Sequence, residues 1–494
     1  MLDRDKTPLL DALKKYATSN HAAFYTPGHK RGQGISPELI DCFGAEVFKV
    51  DVPELPEIGS LFDSQGVIQS AQECAAKTFG ADRTYFLVNG STCGIVAAIL
   101  ATCGTGDKII LPRNVHKSAI AGLILSGATP IFINPEYDPI LDIAHSITYE
   151  SVEAALKQYC DVKAVMMVYP TYFGVCGDIE KIARLTHSYN NIPLLVDEAH
   201  GAHFAFHPDF PTPAIKTGAD ISIQSIHKTL SALTQASMLH VQGDRINIDR
   251  LTKSLELVQS SSPSNLLLAS LDAARQQMAR DGKQLMSHTL ELAESARNQI
   301  SQIPGLSVLE IIHPTPGFVA LDKTRITVNV SGLGLTGFAA DEILVDCDVI
   351  AELPSLQNLT FILSLGNTHA DIDSLVQGLK TLATKHKQVF ETKSAKPCAR
   401  ASAIAPFNQQ SMLAIAPRQA FYADTETLPI EQTRDRICAE LVCPYPPGIP
   451  VLIPGEIVTN ETIAYLRNIQ SLGGYISGCN DSSLKTLKII LDKS

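Results

Sequence analysis

The chain has 494 residues, and its 40 Lys and Arg against 51 Asp and Glu give a formal net charge of −11. This length allows two to four domains at about 100–200 residues each, and the 45% hydrophobic content excludes wholesale disorder. The acidic balance argues against nucleic acid or an anionic membrane as a partner, because both carry negative charge. No uninterrupted apolar run approaches the roughly 18 residues of a membrane span. The 11 cysteines are scattered without CxxC pairs, as in reduced cytosolic proteins, so we expect a cytoplasmic location.

Short apolar runs alternate with helix-like segments over most of the first 300 residues. Residues 65–80 carry apolar side chains on one helical stripe, and Gly80 ends the predicted helix. Strand-like runs then follow at 84–88, 108–112, 129–133, 163–169, 193–197, 220–226 and 236–241. Continuous apolar strands that alternate with helices form a mostly parallel sheet with both faces covered. The predicted fold class is therefore α/β.

Changes in composition divide the chain into four predicted segments. Residues 1–64 form an N-terminal arm, and residues 65–305 form a large domain that ends at Pro304-Gly305. Strand-like and helix-like patterns after that point predict a smaller α/β domain over 306–392. The stretch 393–406 is polar and rich in small residues, which is typical of a linker. It opens a C-terminal domain over 393–494.

The segment Asn89-Gly90-Ser91-Thr92 lies between a predicted strand and an apolar helix. Backbone N–H groups and hydroxyls at the start of a helix bind anions, and phosphate is their usual ligand. The hydroxyls of Ser91 and Thr92 therefore predict a phosphate site. The alternative is that one of these hydroxyls only caps the helix.

Asp197 ends an apolar strand and begins the sequence DEAHG. Ligands in such sheets bind beyond the carboxyl ends of the strands, which makes Asp197 a candidate site residue. DEAH also occurs in helicases, but no GxxxxGK[ST] phosphate loop exists in the chain, so we exclude a helicase. His200, His203 and His207 lack the Cys or carboxylate spacing of a zinc site, and we predict no metal.

Lys228 follows another apolar strand, in the sequence Ser225-Ile226-His227-Lys228. A lysine at this place is a candidate to form a Schiff base, although a surface lysine in a loop is the alternative. A hydroxyl-rich helix start, an aspartate ending one strand and a lysine ending another form a more specific combination. Pyridoxal phosphate needs these three groups: a phosphate site, a carboxylate for its ring nitrogen and an amine for its aldehyde.

These residues lie in stretches that resemble the ornithine/lysine/arginine decarboxylases of the aspartate-aminotransferase fold. The resemblance extends over almost the whole chain and is greatest to the shorter, biosynthetic-type bacterial arginine and lysine decarboxylases. The matching stretches are 24–34 (FYTPGHKRGQG), 86–94 (FLVNGSTCG), 111–133, 169–179, 194–204, 225–241, 262–275 and 443–456 (CPYPPGIPVLIPGE). The resemblance implies pyridoxal phosphate as the cofactor.

The resemblance also implies a role for each candidate residue. Lys228 matches the lysine that holds the cofactor covalently, and Asp197 matches the partner of the ring nitrogen. His116, in RNVHKS, matches the histidine stacked on the cofactor ring; the alternative for it is a packed helix-cap histidine. His200 is expected to approach the ring hydroxyl. The expected phosphate ligands are Ser91, Thr92, Ser225 and His227.

The activity that the resemblance implies is α-decarboxylation of a basic amino acid to an amine and CO2. Arginine, giving agmatine for polyamine synthesis, is our first expectation, lysine the second and ornithine the third. A cationic substrate side chain needs a carboxylate, and a guanidinium prefers a bidentate one. Glu456 is favoured over Asp51 and Glu54, because the proline-rich stretch before it stiffens the backbone. The alternative for Glu456 is a solvated glutamate at a helix start.

The resemblance further implies a homodimer, or a small multiple of it, with active sites shared between subunits. Ser261 and Ser262 are then expected to reach the phosphate of the neighbouring subunit. Two other functions are kept open. An aminotransferase of the same fold would hold the substrate carboxylate with an arginine from the small domain. An inactive paralogue would keep the cofactor site and act as a regulator.

Overall fold

In the computed structural model of the protein, the chain divides into two compact units. The first unit consists of Met1–Ala101 and Leu195–Met286, and the second of Thr102–Leu194 and Ser287–Ser494. The structure describes residues 5–392, 413–445 and 448–492. The predicted linker 393–406 lies outside these residues, and the three predicted boundaries between the four segments stay predictions.

Seven strands form a mixed, mostly parallel sheet. Their order is Arg83–Leu87, Ser237–Val241, Ile221–Gln224, Leu194–Asp197, Val162–Val168, Lys108–Pro112 and Thr129–Ile133. The strand Ser237–Val241 pairs antiparallel with both of its neighbours, whereas Leu194–Asp197 pairs parallel with Ile221–Gln224. Lys108–Pro112 is also parallel to both of its neighbours. The α/β fold class is confirmed, and each strand lies within two residues of its predicted position.

The first unit contains helices before, between and after its strands. They are Pro8–Ala17, Pro37–Phe43, Val47–Val50, Val67–Phe79, Gly90–Thr102, Ile226–Thr229, Ile248–Val258 and the first part of Asn265–Ser301, with 3₁₀ turns at Phe204–Phe206 and Ala214–Thr217. The predicted helix end at Gly80 is confirmed, since that residue has a φ of 79°. Gly94 lets the helix Gly90–Thr102 approach the sheet, because a Cβ there would lie 2.7 Å from Leu87 and 2.9 Å from Ile223. The N-terminus of this helix is thereby held at the end of the first strand.

The second unit contains the remaining helices and the small sheets. Its helices are Lys117–Ser126, Tyr149–Gln158, Ile179–Ser188, Gly337–Val345, His369–Thr392, Pro417–Phe421, Asn460–Ser471 and the rest of Asn265–Ser301, with 3₁₀ turns at Ser331–Leu333 and Ile430–Gln432. Its four-stranded antiparallel sheet has the order Ser307–Val308, Arg325–Asn329, Asn358–Ile362 and Leu353–Pro354. Two-stranded pairs join Thr425–Pro429 to Thr486–Ile490, Cys443–Tyr445 to Tyr475–Ser477, Tyr137–Asp138 to Ile143–Ala144, and Ala320–Leu321 to Val175–Cys176. Within the described ranges, no helix combines the length and apolarity that crossing a membrane requires.

Separate apolar cores stabilise the parts of the second unit. Leu292, Ile326, Leu344 and Leu379 are fully buried in one core, where the long helix packs with the four-stranded sheet. Cys438, Val442, Leu466 and Leu487 lie in another, which stabilises the C-terminal segment. The described residues of the C-terminal segment therefore share an apolar core.

A buried ion pair fixes the N-terminal helix of the first unit. The Asp272 carboxylate accepts hydrogen bonds from the backbone N–H groups of Leu9 and Leu10, at 3.0 and 3.3 Å. It also pairs with Arg275 at 2.5 Å, and Arg275 donates to the carbonyl of Lys6 at 2.6 Å. Both charged side chains are fully buried. Since a buried carboxylate needs its partners, the first helix and the long helix depend on each other.

We expect Asp272→Asn to lower the free energy of unfolding by about 3–5 kcal/mol, because it leaves Arg275 buried without its counter-ion. Urea denaturation measures this loss, and limited proteolysis should show faster cleavage near the N-terminus. The control is Asp161→Asn, whose pair with Lys108 is largely exposed and should cost less than about 1 kcal/mol. Equal midpoints for the two variants would contradict the anchoring role of Asp272.

Candidate active site

Asp197 lies at the carboxyl end of the strand Leu194–Asp197. Burial raises the pKa of Asp197 above its usual range, and Lys228 and the N–H of Ala199 oppose the shift. The Ala199 N–H donates to Oδ1 of Asp197 at 3.2 Å. A half-buried carboxylate with a lysine close enough to affect its pKa can hold a protonated nitrogen of a ligand.

Lys228 lies on a short helix, Ile226–Thr229, and not in a surface loop. The predicted strand 220–226 is therefore too long, since the observed strand ends at Gln224. The Nζ atom of Lys228 lies 3.0 Å from Nε2 of His200, and His200 is buried. A lysine ammonium can only donate, so Nε2 of His200 accepts and the ring proton resides on Nδ1. His200, predicted near a cofactor ring hydroxyl, lies beside the lysine.

Two of the predicted phosphate ligands meet in the first unit. The Ser225 hydroxyl donates to the Ser91 hydroxyl at 2.9 Å, although the residues are 134 positions apart. Ser91 lies in the first turn of the helix Gly90–Thr102, whereas Ser225 follows the strand Ile221–Gln224. Thr92, the next residue on the helix, is exposed. Two hydroxyls at a helix N-terminus form a suitable site for a phosphate group.

His227 is held by its backbone neighbours. Its Nδ1 lies 3.0 Å from the carbonyl oxygen of Ala236, which can only accept, so Nδ1 carries the proton. Burial lowers the pKa of His227, and the ring is therefore neutral near pH 7. Its Nε2 can donate to a phosphate only when the ring is protonated, a state that a nearby dianion favours.

Glu198 is a site-positioning residue that sequence reasoning missed. Its fully buried carboxylate accepts from the Ala214 N–H at 2.9 Å, from the Ser222 hydroxyl at 2.5 Å and from the Gln224 amide at 2.9 Å. Glu198 follows Asp197, and Gln224 precedes Ser225. This hydrogen-bonded set therefore joins the ends of the two strands that carry the candidate site. The signal in the sequence was a second carboxylate directly after Asp197.

The network continues away from the site through a buried histidine. Oε1 of Gln224 lies 3.1 Å from Nε2 of His240, and Nδ1 of His240 lies 2.8 Å from the Thr84 hydroxyl. Burial lowers the pKa of His240 to about 3 and raises that of Glu198 to about 7. His240 is therefore neutral at physiological pH, whereas Glu198 changes its charge near physiological pH.

In the second unit, His116 caps the helix Lys117–Ser126. Its Nδ1 accepts from the backbone N–H of Ser118 at 3.2 Å, which places the ring proton on Nε2. Capping and ring stacking are compatible, because the cap uses only the edge of the imidazole. The predicted stacking role stays a prediction.

Glu456 also belongs to the second unit and is only 3% exposed, so it is not a solvated glutamate. Its Oε2 accepts from Arg113 at 2.9 Å and from the Ile453 N–H at 2.9 Å. The two other candidate carboxylates have partners in the first unit. Asp51 lies 3.1 Å from Nε2 of His29, and Glu54 accepts from the Leu61 N–H at 3.1 Å.

Two family models match most of the chain. Residues 7–319 match the Orn/Lys/Arg decarboxylase major domain, and residues 401–481 match the C-terminal domain of the same enzymes. The chain belongs to the Orn/Lys/Arg decarboxylase family. This result confirms the family that the motifs predicted.

Relatives of this decarboxylase family cover the whole chain. An arginine decarboxylase of Halalkalibacterium halodurans is 40% identical over 99% of each chain. One of Bacillus subtilis is 39% identical over 100% of this chain and 99% of its own. The lysine decarboxylase LdcA of Pseudomonas aeruginosa is 25% identical over 94% of this chain and 75% of its own. Among solved structures, the Francisella novicida lysine decarboxylase LdcF superposes with a TM-score of 0.83 at 24% identity, over 99% of this chain and 81% of its own. The last comparison confirms the fold.

We expect Glu198 to make stability depend on pH. Its pKa rises from 4.5 to about 7 on folding, so its contribution is complete below pH 4.5 and is lost as pH rises through about 7. Relative to Glu198→Gln, the wild type should therefore lose about 2–4 kcal/mol between pH 5 and pH 8. Urea denaturation of both proteins at several pH values measures the difference.

The control variant is Glu180→Gln, which changes an exposed glutamate. Its difference from the wild type should stay constant over the same range of pH. A constant difference for Glu198→Gln as well would show that Glu198 is already ionised, or solvated, in the folded protein.

Proposed function

We propose that the protein is a pyridoxal-phosphate-dependent arginine decarboxylase, which converts L-arginine to agmatine and CO2. The observation that carries the proposal is that a half-buried aspartate, Asp197, ends one strand, and Lys228, on the short helix after the adjacent parallel strand, is close enough to lower its pKa. Two of the relatives at 39–40% identity are named arginine decarboxylases, which favours arginine over lysine and ornithine.

The residues of the first unit fit the cofactor. Its phosphate needs hydroxyl and N–H donors, which Ser91, Ser225 and the start of the helix Gly90–Thr102 supply. Its ring nitrogen needs a carboxylate, and the half-buried Asp197 lies close enough to Lys228 for the lysine to lower its pKa. Its aldehyde needs an amine, for which Lys228 is suited. Thr92, His227 and His116 stay predicted cofactor ligands.

Pyridoxal phosphate, when bound, accepts the electron pair that the substrate Cα releases as CO2 departs. Asp197 would keep the ring nitrogen protonated, which is the state that accepts electrons best. Glu198 and its three donors keep Asp197 and Ser225 at a fixed separation. The chain therefore supplies a preorganised charge, which costs no rearrangement during the reaction.

A proton must return to Cα after CO2 has left. Lys228 and His200 lie 3.0 Å apart, so a proton held on Nζ has a base at hydrogen-bond distance. Both residues carry side chains that exchange protons near neutral pH when their surroundings shift the pKa. We assign the return of the proton to this pair.

We propose that Glu456 binds the cationic end of the substrate. Burial raises the pKa of Glu456, and Arg113 opposes that shift, because its positive charge favours the ionised carboxylate. Its Oε1 has no hydrogen-bond partner among the described residues. A guanidinium or ammonium would satisfy this oxygen. Lysine or ornithine as substrate remains the alternative.

The small domain disfavours an aminotransferase. Arg325 is the one arginine in the sequence 306–392, and it is buried beside Asp322, with Nε 4.0 Å from the carboxylate. An arginine engaged in this way is not suited to bind the carboxylate of a substrate. The structure therefore supports decarboxylation over amino transfer.

We also propose a cytoplasmic homodimer that acts in polyamine synthesis. Ser260 donates its N–H to Asn89 at 3.2 Å, and this contact brings exposed Ser261 and Ser262 to the turn before the anion site. Phe24 and Phe43 on the N-terminal arm are 94% and 64% exposed. Exposed aromatic side chains of this kind are typical of surfaces that a second subunit covers.

We expect the purified, cofactor-loaded protein to release CO2 from arginine and to form agmatine. Cadaverine from lysine or putrescine from ornithine would instead establish the alternative substrates, and a keto acid would establish an aminotransferase. Mass spectrometry of the products separates these outcomes. Absence of all products would favour the inactive paralogue.

Lys228→Ala should abolish product formation together with the visible absorbance of the bound cofactor, because no amine remains to hold the aldehyde. The control is Lys253→Ala, which removes an exposed lysine and should change neither. A visible cofactor band that persists in Lys228→Ala would refute the assignment of this lysine.

A further inference from the structure

Arg113 is a buried arginine to which the proposed chemistry gives no role. It directly follows the strand Lys108–Pro112, at the carboxyl end where ligands of such sheets bind. Three residues later, His116 begins the next helix. The Arg113 side chain is 6% exposed, and its guanidinium lies 5.4 Å from the centre of the Phe132 ring. A charge buried this deeply persists only when several partners satisfy it.

Among the described residues, the hydrogen-bond partners of the Arg113 side chain come from a distant stretch of the chain. Its NH1 donates to the carbonyl of Pro450 at 2.6 Å, and its NH2 to the carbonyl of Val451 at 3.0 Å. NH2 also donates to Oε2 of Glu456 at 2.9 Å. One guanidinium therefore holds both the backbone before Glu456 and one oxygen of its carboxylate.

This arrangement differs from the usual arginine–carboxylate pair. Two parallel N–H groups of an arginine normally bind both oxygens of a carboxylate. Here NH1 donates to one backbone carbonyl, and NH2 donates to a second carbonyl and to Oε2 of Glu456. Oε2 is therefore the one oxygen of this carboxylate that receives a donor from Arg113. The Ile453 N–H also donates to Oε2, at 2.9 Å. The pairing thus concentrates two donors on one oxygen.

The second oxygen of Glu456 lacks a partner. Oε1 is buried and accepts no hydrogen bond from any part of the chain that the structure describes. A buried carboxylate oxygen without a donor is unfavourable, and native proteins seldom keep one unless a ligand or water completes it. A pair that served only stability would gain from using both oxygens. Oε1, which has no donor among the described residues, therefore points to a ligand with an N–H donor.

We propose that Arg113 is the positioning residue that orients Glu456, so that Oε1 accepts one N–H from the cationic end of the substrate side chain. This inference rests on the proposed function and deepens it, since it assigns the selection of the substrate to a pair of residues. Arg113 itself touches no substrate atom. Oε2 already accepts hydrogen bonds from Arg113 and from the Ile453 N–H, so Glu456 contacts the substrate through Oε1. The bidentate contact expected for a guanidinium is therefore not formed.

The test is a double-mutant cycle with Arg113→Lys and Glu456→Gln. Lysine keeps the charge but lacks the planar fork that holds two carbonyls and Glu456 together. We expect Arg113→Lys to raise KM about 5- to 30-fold, and Glu456→Gln about 10- to 100-fold. In both variants kcat should change less than about threefold, and the visible absorbance of the bound cofactor should stay unchanged.

The double variant decides between positioning and a separate structural role. If Arg113 acts through Glu456, Arg113→Lys adds nothing to KM once Glu456 is Gln. Independent effects, in which the two rises in KM multiply, would overturn the inference, as would an unchanged KM in Arg113→Lys. The control is Arg184→Lys, which alters an exposed pair with Glu180 and should leave KM unchanged.

Calorimetric binding of agmatine, cadaverine and putrescine to the same proteins separates this inference from the proposed function. Whether the two substitutions have non-additive effects on the dissociation constants can be measured without turnover. A protein that decarboxylates arginine but shows no coupling would keep the proposed function and overturn the role of Arg113. Coupled binding of an amine without decarboxylation of any amino acid would do the reverse.

Discussion

The hydrogen-bonded carboxylate of Glu198 is the constraint on which the candidate site depends. It follows the strand Leu194–Asp197, and it accepts donors from the 3₁₀ turn Ala214–Thr217 and from the neighbouring strand Ile221–Gln224 at 2.5–2.9 Å. The residue before it, Asp197, carries the carboxylate of the candidate site, and the neighbouring strand leads to Lys228. Because backbone hydrogen bonds of a sheet fix only the strands, an added link at their ends restrains the side chains that follow. Burial of the Glu198 carboxylate is unfavourable by itself, and the rigidity of the candidate site depends on it.

A second buried carboxylate, that of Glu456, has a different distribution of hydrogen bonds. Glu198 has a donor for each oxygen, so it is complete without a ligand. Glu456 has two donors on one oxygen and none from the described residues on the other. Full satisfaction favours a structural role, and partial satisfaction favours recognition. We therefore infer different functions for two glutamates of similar burial, because their hydrogen bonds are distributed differently.

Local patterns predicted much of this protein, and long-range contacts explain what they missed. The apolar runs located all seven strands, and Asp197 at the end of one strand and Lys228 after another predicted the cofactor chemistry. Periodicity failed at the strand before Lys228, because Ile226–Thr229 form a short helix and the strand ends at Gln224. The role of Arg113 depends on a partner 343 residues away. No spacing within the sequence predicts such a pair, because it arises only when the C-terminal segment packs.

The central claim is that Lys228 holds pyridoxal phosphate covalently within this site. Borohydride reduction of the cofactor-loaded protein, followed by digestion and mass spectrometry, tests it most directly, since reduction makes the bond between lysine and cofactor permanent. The account predicts the added cofactor mass on the peptide that contains Lys228. A cofactor mass on another lysine, or on none, would contradict it.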